Sequence, residues 1–363
     1  MSQQPSVAII GSGPSGCYLA QFLRKAWPES PITIFDRLEM PYGLVRFGVA
    51  PDHAGTKAVT QQFDRLFERD GVKFVGKTQI GTDISLEDLR KQFDIVVLAT
   101  GLSADRKLSI PGEHLSGVHG SGKVTRLING HPESVLAGIE LGTHVVIVGQ
   151  GNVAIDLVRL SLTHPDQLVD VGVDPQVAQT IAHSEIQNID VVGRSLIEDA
   201  KFDLAMLKEL GKLPNVRFTA DATFINTDDA EALKKFEAIT ALIQSSPATA
   251  TRNINFHFGW IPQEVSGVDK VEGMTFTNKA GDQFLELKAD VVYTAIGFAE
   301  SDSAAINRDA WVTGDSNLDT GYLAEGLYCV GWLRRGPRGT IPANRADAKM
   351  VSETIINDFQ NNH

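Results

Sequence analysis

Short apolar runs alternate along this chain with stretches of helical spacing. Residues 7–10 and 145–148 are continuously apolar, which is typical of strands buried on both faces of a parallel sheet. Residues 203–210 carry leucines on one helical face. The same patterns predict further strands at 32–35, 72–75, 95–98, 189–192, 216–218 and 254–258, and helices at 18–26, 166–184 and 229–243. This alternation predicts an α/β fold with parallel sheets.

Two of the apolar runs are followed at once by a glycine-rich turn and a helix. Residues 11–16 read GSGPSG, and residues 149–154 read GQGNVA. Glycines in such a turn let backbone N–H groups approach a pyrophosphate, which the N-terminus of the following helix stabilises. Strand, turn and helix in this order are typical of a Rossmann-like dinucleotide-binding unit. Two motifs predict two dinucleotides, between which electrons would pass.

The residue that ends the second strand of each unit indicates the nucleotide. Asp36 stands 25 residues after Gly11, close to the spacing of about 20 at which a carboxylate accepts hydrogen bonds from a ribose. Because a carboxylate repels a 2′-phosphate, this site suits FAD or NAD. The strand at 189–192 is followed by Gly193 and Arg194, and an arginine there suits the 2′-phosphate of NADP. A solvated surface arginine is the alternative, since a long insert before Arg194 blurs the spacing.

Two glycine-terminated strands predict where the chain crosses between domains. Residues 97–101 read VLATG and residues 292–297 read VYTAIG. We expect two Rossmann-like domains, with an NADP-binding domain at 107–296 inserted into a discontinuous FAD-binding domain formed by 1–106 and 297–363. A strand within 327–332 should then pair with the N-terminal sheet. The alternative is a separate C-terminal domain, which would have a poor core.

Composition and charge argue against several classes of function. The chain has 363 residues, of which 42% are hydrophobic, and no apolar run as long as a membrane span. Its formal net charge of −12 argues against nucleic-acid binding. Because the first strand begins at Val7, no room is left for a signal peptide, and we expect a cytoplasmic protein. Cys17 and Cys329 form no Cys-x-x-Cys pair, which argues against a dithiol relay. No metal site is expected.

Local basic clusters on this acidic chain are candidate docking surfaces for an acidic protein partner. One cluster consists of Arg334, Arg335 and Arg338. Another consists of Lys201, Lys208 and Lys212. The alternative for each cluster is an ordinary solvated face, which is what most charge runs are.

Three long blocks of the sequence resemble one family. Residues 41–53 read PYGLVRFGVAPDH, residues 149–156 read GQGNVAID, and residues 331–341 read GWLRRGPRGTI. These blocks are similar to those of the adrenodoxin reductase family of ferredoxin–NADP reductases, which are two-domain FAD proteins. Since the blocks lie near both ends and in the middle, the resemblance covers essentially the whole chain. The chain is shorter than the usual family member.

The resemblance implies roles for matching positions. His53 and Glu209 match polar residues near the flavin ring and are the candidate catalytic residues; a loop histidine and a solvated helix carboxylate are the alternatives. Arg194 would meet the 2′-phosphate. The pyrophosphate of NADP would lie against Gln150, Gly151, Asn152 and Val153. The FAD site would comprise Gly11, Gly13, Ser15, Gly16, Asp36, Leu44, Ile80, Trp332, Gly339, Thr340 and Ile341.

Two departures from the family pattern affect the expected nucleotide preference. The family usually has two adjacent arginines at the 2′-phosphate, whereas Arg194 is followed here by Ser195. A family glutamate three positions before Glu209 is Met206 in this chain. One lost charge-assisted pair weakens binding by about 1.5–3 kcal/mol, or roughly tenfold to a hundredfold. NADPH is still favoured, because no acidic residue selects NADH at the strand end, and use of both nucleotides stays open.

We therefore expect an FAD-dependent ferredoxin–NADP reductase. Hydride would pass between NADPH and FAD, and single electrons would then pass to a ferredoxin-type iron–sulfur protein. One alternative keeps both nucleotides but changes the acceptor, as in an NAD(P)H diaphorase, a quinone reductase or the electron-input component of a larger complex. A second alternative is a non-enzymatic redox sensor, against which the two glycine motifs and the block at 331–341 argue.

Overall fold

The computed structural model describes residues 4–362 apart from residues 138, 140–141, 183–184, 222–228 and 303. The chain divides into two compact units. Unit 1 comprises Met1–Val49, His53–Ala104 and Phe298–His363, and unit 2 comprises Ala50–Asp52 and Asp105–Gly297. The greater part of unit 2 is therefore one stretch of chain between two parts of unit 1.

The strands and helices follow each other in alternation through most of the chain. The strands are β1 (Val7–Ile10), β2 (Ile32–Phe35), β3 (Lys73–Val75), β4 (Ile95–Leu98), β5 (Ala104–Asp105), β6 (Val118–Gly120), β7 (His144–Val148), β8 (Asn188–Gly193), β9 (Val216–Ala220), β10 (Arg252–Phe258), β11 (Trp260–Gly267), β12 (Val271–Asn278), β13 (Phe284–Lys288), β14 (Val291–Thr294), β15 (Phe298–Ala299), β16 (Tyr322–Ala324) and β17 (Leu327–Cys329).

The helices differ widely in length, from single turns to the long C-terminal helix. They are α1 (Pro14–Ala26), α2 (Leu44–Phe47), α3 (Ala54–Lys57), α4 (Val59–Glu68), α5 (Leu86–Gln92), α6 (Ser121–Ile128), α7 (Asn152–Leu162), α8 (Pro165–Asp170), α9 (Pro175–Ile181), α10 (Leu204–Leu210), α11 (Ala230–Gln244), α12 (Trp332–Arg335) and α13 (Ile341–Asn362). Short 3₁₀ turns lie at Ile197–Asp199 and Arg308–Trp311.

Unit 1 is built on a six-stranded sheet in the order β16-β17-β4-β1-β2-β3. All neighbours are parallel except β16 and β17. The C-terminal strand β17 pairs with β4, with Leu327 opposite Val96, so the prediction that this segment joins the N-terminal sheet is confirmed. The four residues of β1 are almost fully buried because helices cover the sheet, α1 and α13 packing against each other.

Unit 2 has a second six-stranded parallel sheet, in the order β6-β14-β7-β8-β10-β9. One core lies between this sheet and the helices α7, α9, α10 and α11. A second, smaller core contains Val146 and Val192 of the sheet with Met274 and Phe276 of β12. The α/β fold with two parallel dinucleotide-type sheets is therefore confirmed.

Some elements differ from the sequence predictions. The predicted helix at 166–184 is two helices, α8 and α9, because Pro175 begins a new helix capped by Asp174. Residues 183–184 of that prediction lie outside the described residues. The antiparallel sheet β11-β12-β13 was not predicted. Within the described residues, no helix is both long enough and apolar enough to cross a membrane.

Candidate functional site

The first glycine loop leaves the N-terminus of α1 open to a ligand. Gly13 is the residue before α1, and no side chain caps the helix. A Cβ at Gly13 would meet no other atom within 4 Å. Gly11 has a φ of 109°, and a Cβ there would collide with the Ala99 carbonyl oxygen. The loop therefore presents free N–H groups in an open space, as an anion requires.

Asp36 is held at the end of β2 by the same loop. Its Oδ2 accepts hydrogen bonds from the backbone N–H of Ser12, at 2.9 Å, and from the Ser12 hydroxyl. Its Oδ1 accepts the N–H of Leu38 at 2.9 Å. The carboxylate is partly exposed. The structure thus places Asp36 directly beside the glycine loop, in the position in which a ribose is bound in Rossmann-like sites.

The segment at 41–53 folds back onto the glycine loop. Tyr42 has a φ of 90° and Gly43 a φ of 49°. The Tyr42 N–H donates to the Ser12 carbonyl at 3.1 Å, and a Cβ at Gly43 would lie 3.2 Å from Gly13 Cα. Leu44, half-buried, begins α2 beside this turn. Ile80, by contrast, is a core residue with 3% exposure.

The C-terminal block of unit 1 also meets the first glycine loop. Gly331 has a φ of 75° and abuts the Ser15 side chain, so that any Cβ there would overlap it. The ring of the next residue, Trp332, is tilted by 30° against that of Phe298, with 5.5 Å between the ring centroids. Its buried Nε1 has no hydrogen-bond partner among the described residues. Gly339 has a φ of 80° and precedes α13, which begins at Ile341. Thr340, between them, is exposed.

Two arginines of the predicted basic cluster at 334–338 are turned inward. Asp347, 6% exposed, accepts hydrogen bonds from Arg334 Nε at 2.9 Å and from the Gly331 N–H at 2.6 Å. Arg335 Nε lies 3.5 Å from the same carboxylate. Arg334 and Arg335 are therefore turned toward Asp347 and lie largely out of solvent, although its single carboxylate balances only one of the two charges. Arg338 is exposed.

The second glycine loop repeats the first in unit 2. Gly151 precedes α7 without a side-chain cap, and a Cβ there would meet nothing within 4 Å. Gly149 has a φ of 122°, and a Cβ would collide with the Ala295 carbonyl oxygen. The partly exposed Val153 lies in the first turn of α7.

The Gln150 side chain points inward: its Nε2 donates to the His257 carbonyl at 2.8 Å. Only the backbone of Gln150 is therefore available to a pyrophosphate.

Arg194 lies just beyond β8 and is exposed. Among the residues that the structure describes, no carboxylate forms an ion pair with it, so its guanidinium is available to a phosphate. The turn that follows is fixed, because the Gly259 N–H donates to the Ser195 carbonyl at 3.0 Å. Lys201 is exposed, and Met206 packs against the core of unit 2.

Glu209, on α10, is one of three carboxylates that surround Arg159, so that the cluster has four charged residues in all. Arg159 Nε lies 3.3 Å from Glu209 Oε2, and Nη2 donates to Asp156 at 2.8 Å and to Asp52 at 3.0 Å. We call these four residues the Arg159 cluster. His53, the next residue after Asp52, is half-buried and precedes α3. Arg159 was not predicted as a site residue; its signal in the sequence is a charged residue on the apolar face of α7.

A second charged network lies at the carboxyl end of β10. His257 contacts Asp190 at 2.9 Å through Nε2 and Asp221 at 3.1 Å through Nδ1, and Trp260 Nε1 donates to Asp221 at 2.8 Å. Burial lowers the pKa of His257, but the hydrogen bonds to Asp190 and Asp221 outweigh it and raise the pKa to about 9. His257 is therefore a cation at neutral pH, and the hydrogen bond from Trp260 to Asp221 joins β11 to this network.

Neither cysteine has the character of a reactive thiol. Cys17 and Cys329 are free and buried. Burial raises the pKa of Cys329 to about 11 and that of Cys17 further. Both thiols stay protonated at neutral pH, so neither is a nucleophile. Within the described part of the chain, no group of His, Cys, Asp or Glu side chains is arranged to hold a metal ion.

Comparison with known proteins gives the family of this chain. The model of the pyridine nucleotide-disulphide oxidoreductase family matches residues 5–345. The chain is 43% identical over 98% of its length to cindoxin reductase of Citrobacter braakii, covering 78% of that protein. It is 31% identical over 98% of its length to NADPH:adrenodoxin oxidoreductase of Arabidopsis thaliana, covering 82% of it.

Solved structures agree with the sequence relatives. The structure of FprA from Mycobacterium tuberculosis in complex with NADPH matches with a TM-score of 0.90 and 28% identity, over 99% of this chain and 85% of that one. Thioredoxin reductase of Lactococcus lactis, at 16% identity and a TM-score of 0.57, shares the fold alone. Fold and loops thus define a two-dinucleotide oxidoreductase of the pyridine nucleotide-disulphide class. Within that class, the chain belongs to the adrenodoxin reductase family of ferredoxin–NADP reductases, as the sequence blocks predicted.

Proposed function

We propose that this protein is an FAD-dependent ferredoxin–NADP reductase that oxidises NADPH. The observation that carries the proposal is the pair of open glycine loops. One has a carboxylate at the end of the next strand, and the other has an exposed arginine there, which forms no ion pair with any described residue. When bound, FAD supplies the step between a two-electron hydride donor and a one-electron iron–sulfur acceptor. The chain supplies binding, orientation and electrostatics.

In unit 1, the residues present fit FAD. The open N-terminus of α1 provides N–H donors for a pyrophosphate, and Asp36 provides an acceptor for ribose hydroxyls. Trp332 offers a buried indole N–H that no protein group uses within the part of the chain that the structure describes. A buried donor of this kind needs a partner, and a bound ligand would provide it. The residues proposed to line the flavin ring are Leu44, Gly339, Thr340 and Ile341. Ile80 is proposed to support the FAD site from the core of unit 1.

In unit 2, the residues present fit NADPH. Gly151, Asn152 and Val153 place backbone N–H groups at the open N-terminus of α7, where the pyrophosphate would bind. Arg194 is proposed to bind the 2′-phosphate alone, since Ser195 replaces the second arginine of the family pattern. NADH is the second candidate donor, because a single arginine gives a smaller preference for NADPH.

His53 and Glu209 are proposed to orient the nicotinamide and to hold protons near the reacting carbon. Glu209 is suited to this because Arg159 fixes its carboxylate without burying it completely. No covalent step needs a nucleophile, and the two buried thiols provide none. The roles of both residues rest on the family pattern and on the Arg159 cluster.

The partner is proposed to be an iron–sulfur protein of the ferredoxin type. The relative from Arabidopsis thaliana is named NADPH:adrenodoxin oxidoreductase, after the small redox protein that it reduces. Lys201, Lys208 and Lys212 are exposed on and around α10 and are the proposed docking charges, with Arg338 as a further one. A cytoplasmic location, in which Cys17 and Cys329 stay reduced, is part of the proposal and is tested by cell fractionation.

A different acceptor is the second candidate function, because Arg334 and Arg335, two of the arginines expected at a docking surface, are turned toward Asp347. Cytochrome c reduction with and without added ferredoxin separates the two. The proposed function requires reduction to become saturable and fast only when ferredoxin is present. Equal rates without ferredoxin would favour a diaphorase.

A further inference from the structure

Two helices of unit 2, α7 and α10, are joined by side chains at both ends of α10. Before its first turn, Asn152 Nδ2 donates to Asp203 Oδ2 at 2.6 Å, and Asn152 Oδ1 accepts the Asp203 N–H at 2.8 Å. At its last turn, Arg159 Nε lies 3.3 Å from Glu209 Oε2. Asn152 and Arg159 stand about two turns apart on α7, so they face the same side. The position of α10 is therefore set by α7, the helix that begins at the second glycine loop.

Arg159 also fixes a second segment of chain. Its Nη1 and Nη2 both pair with the carboxylate of Asp52, Nη2 at 3.0 Å. Asp52 belongs to Ala50–Asp52, the short piece of the 41–53 block that is part of unit 2. The residue after it is His53. Through Nε, the Arg159 guanidinium thus restrains the side chain of Glu209. Through Nη1 and Nη2, it restrains Asp52 and so the backbone that leads to His53.

The geometry needs an arginine at this position. Arg159 is 7% exposed and contacts three carboxylates, those of Asp52, Asp156 and Glu209. A guanidinium offers five donors in a fixed plane, so it can bind several carboxylates from different directions. A lysine ammonium is a single compact charge at the end of a flexible stem and cannot hold all three in place.

We propose that Arg159 is the positioning residue of the nicotinamide site. It acts through Glu209 and Asp52 and need not touch either nucleotide. The inference rests on the proposed function, since Glu209 and His53 matter to the reaction only if NADPH is the donor. Its structural part, that Arg159 holds α10 and Asp52, does not depend on that function.

The test is a double-mutant cycle on the FAD-loaded protein, with Arg159→Gln, Arg159→Lys, Glu209→Gln and the combination of Arg159→Gln with Glu209→Gln. FAD content should match the wild type, because the cluster lies outside the first glycine loop. Single-turnover flavin reduction by NADPH should fall about a hundredfold in Arg159→Gln, as for a misplaced catalytic group. Glu209→Gln should add little to that loss, since residues that act together are not additive. Independent, multiplying losses would overturn the proposal.

Hydrogen exchange gives a readout that is independent of activity. In Arg159→Gln, the backbone amides of α10 and of Asp52 and His53 should exchange about tenfold faster, because local opening costs less. The amides of α13, which belongs to unit 1, serve as the internal control. Arg159→Lys should restore part of the protection. Unchanged exchange in α10, or an equal increase in α13, would contradict a local positioning role.

A milder variant covers the case in which Arg159→Gln fails to fold, as removal of a buried charge partner sometimes causes. Asp52→Asn removes one carboxylate that is partly exposed and leaves Arg159 with Asp156 and Glu209. Exchange should rise at 52–53 and stay unchanged in α10, whereas Glu209→Gln should do the reverse. If both variants loosened both segments, Arg159 would not be the separate anchor of each. Lack of flavin reduction in the wild type would instead refute the proposed function, whereas the hydrogen-exchange result on α10 and residues 52–53 would still hold.

Discussion

The two glycine loops share a backbone design but differ in what surrounds them. Each follows a buried strand, contains a glycine with a strongly positive φ against a carbonyl oxygen, and opens a helix with no side-chain cap. In unit 1, the loop residue Ser12 reaches sideways to Asp36 at the end of the next strand. In unit 2, Gln150 reaches inward below the strand ends, and Arg194 remains exposed and without an ion pair among the described residues.

Because the two loops share a backbone design but differ in the residue beside them, pyrophosphate binding and nucleotide choice are separate functions of the fold. The common part, an open helix N-terminus, binds any dinucleotide. The choice comes from one residue at the end of the second strand, a carboxylate for ribose hydroxyls or an arginine for a 2′-phosphate. Each of these parts can be broken by itself, which gives the following predictions.

The largest effects are expected from a matched pair, Gly11→Ala and Gly149→Ala. Both residues have positive φ angles, and in both a Cβ would collide with a backbone carbonyl. Strain of this kind costs about 1–3 kcal/mol, or roughly tenfold to a hundredfold in affinity. Gly11→Ala should purify with little FAD. Gly149→Ala should keep FAD and lose NADPH binding, as measured by calorimetric titration.

Gly314→Ala is the control for this pair, because a Cβ there meets no atom within 4 Å. It should bind both nucleotides as the wild type does. The comparison of the two loops fails if Gly149→Ala loses FAD or if Gly11→Ala retains it fully.

Arg194→Ala tests the choice of nucleotide in unit 2. Loss of one charge-assisted contact should weaken NADPH binding by about tenfold to a hundredfold and leave NADH binding unchanged. Ser195→Arg is the matched gain-of-contact variant and should tighten NADPH binding. Equal losses for NADPH and NADH would show that Arg194 does not read the 2′-phosphate.

Asp36→Asn tests the choice in unit 1 with a smaller expected effect. The neutral amide weakens the hydrogen bonds from Ser12 and Leu38 and those to a ribose, each by about 1 kcal/mol. FAD should dissociate several-fold faster, as followed by the recovery of flavin fluorescence, while NADPH affinity stays the same. A change confined to NADPH would contradict the assignment of the two sites.

The smallest effect concerns the stability of unit 2 at alkaline pH. The pKa of His257 is raised from 6.5 to about 9, so its contribution is fully present below pH 6.5 and is lost as the pH rises through 9. The urea midpoint should therefore fall between pH 7 and pH 10. His257→Gln should be less stable at pH 7 and show a smaller fall. Parallel pH curves for the two proteins would refute the imidazolium bridge between Asp190 and Asp221.

The sequence was sufficient for the parts of the fold that depend on local order. Apolar runs, glycine turns and Asp36 lie close together in the chain, so their pattern predicted both loops and the parallel sheets. The sheet β11-β12-β13 was not predicted, because apolar and polar residues do not alternate regularly along its strands. β11 has two register shifts, and Phe284 at the start of β13 is exposed. Its clearest signal was the hairpin turn between Asn278 and Gln283.

The rest of the site depends on contacts between residues far apart in the chain. Arg159 and Asp52 are 107 positions apart, and nothing in the local sequence of either predicts the pair. The inward turn of Arg334 is similar, because its partner Asp347 lies on the next helix, 13 positions away. Charge alone predicted a docking surface, whereas burial of the partner decides where the charge is used.

The assignment of FAD to the first loop and NADPH to the second is most directly tested by anaerobic stopped-flow reduction of the bound flavin, with NADPH and NADH titrated separately. The predicted result is rapid loss of the visible flavin absorbance, half-saturating at a lower concentration of NADPH than of NADH. That would show that the protein holds a flavin that both nucleotides can reach and that it prefers the phosphorylated one, a preference that Arg194→Ala should abolish. A flavin that neither nucleotide reduces would contradict the account.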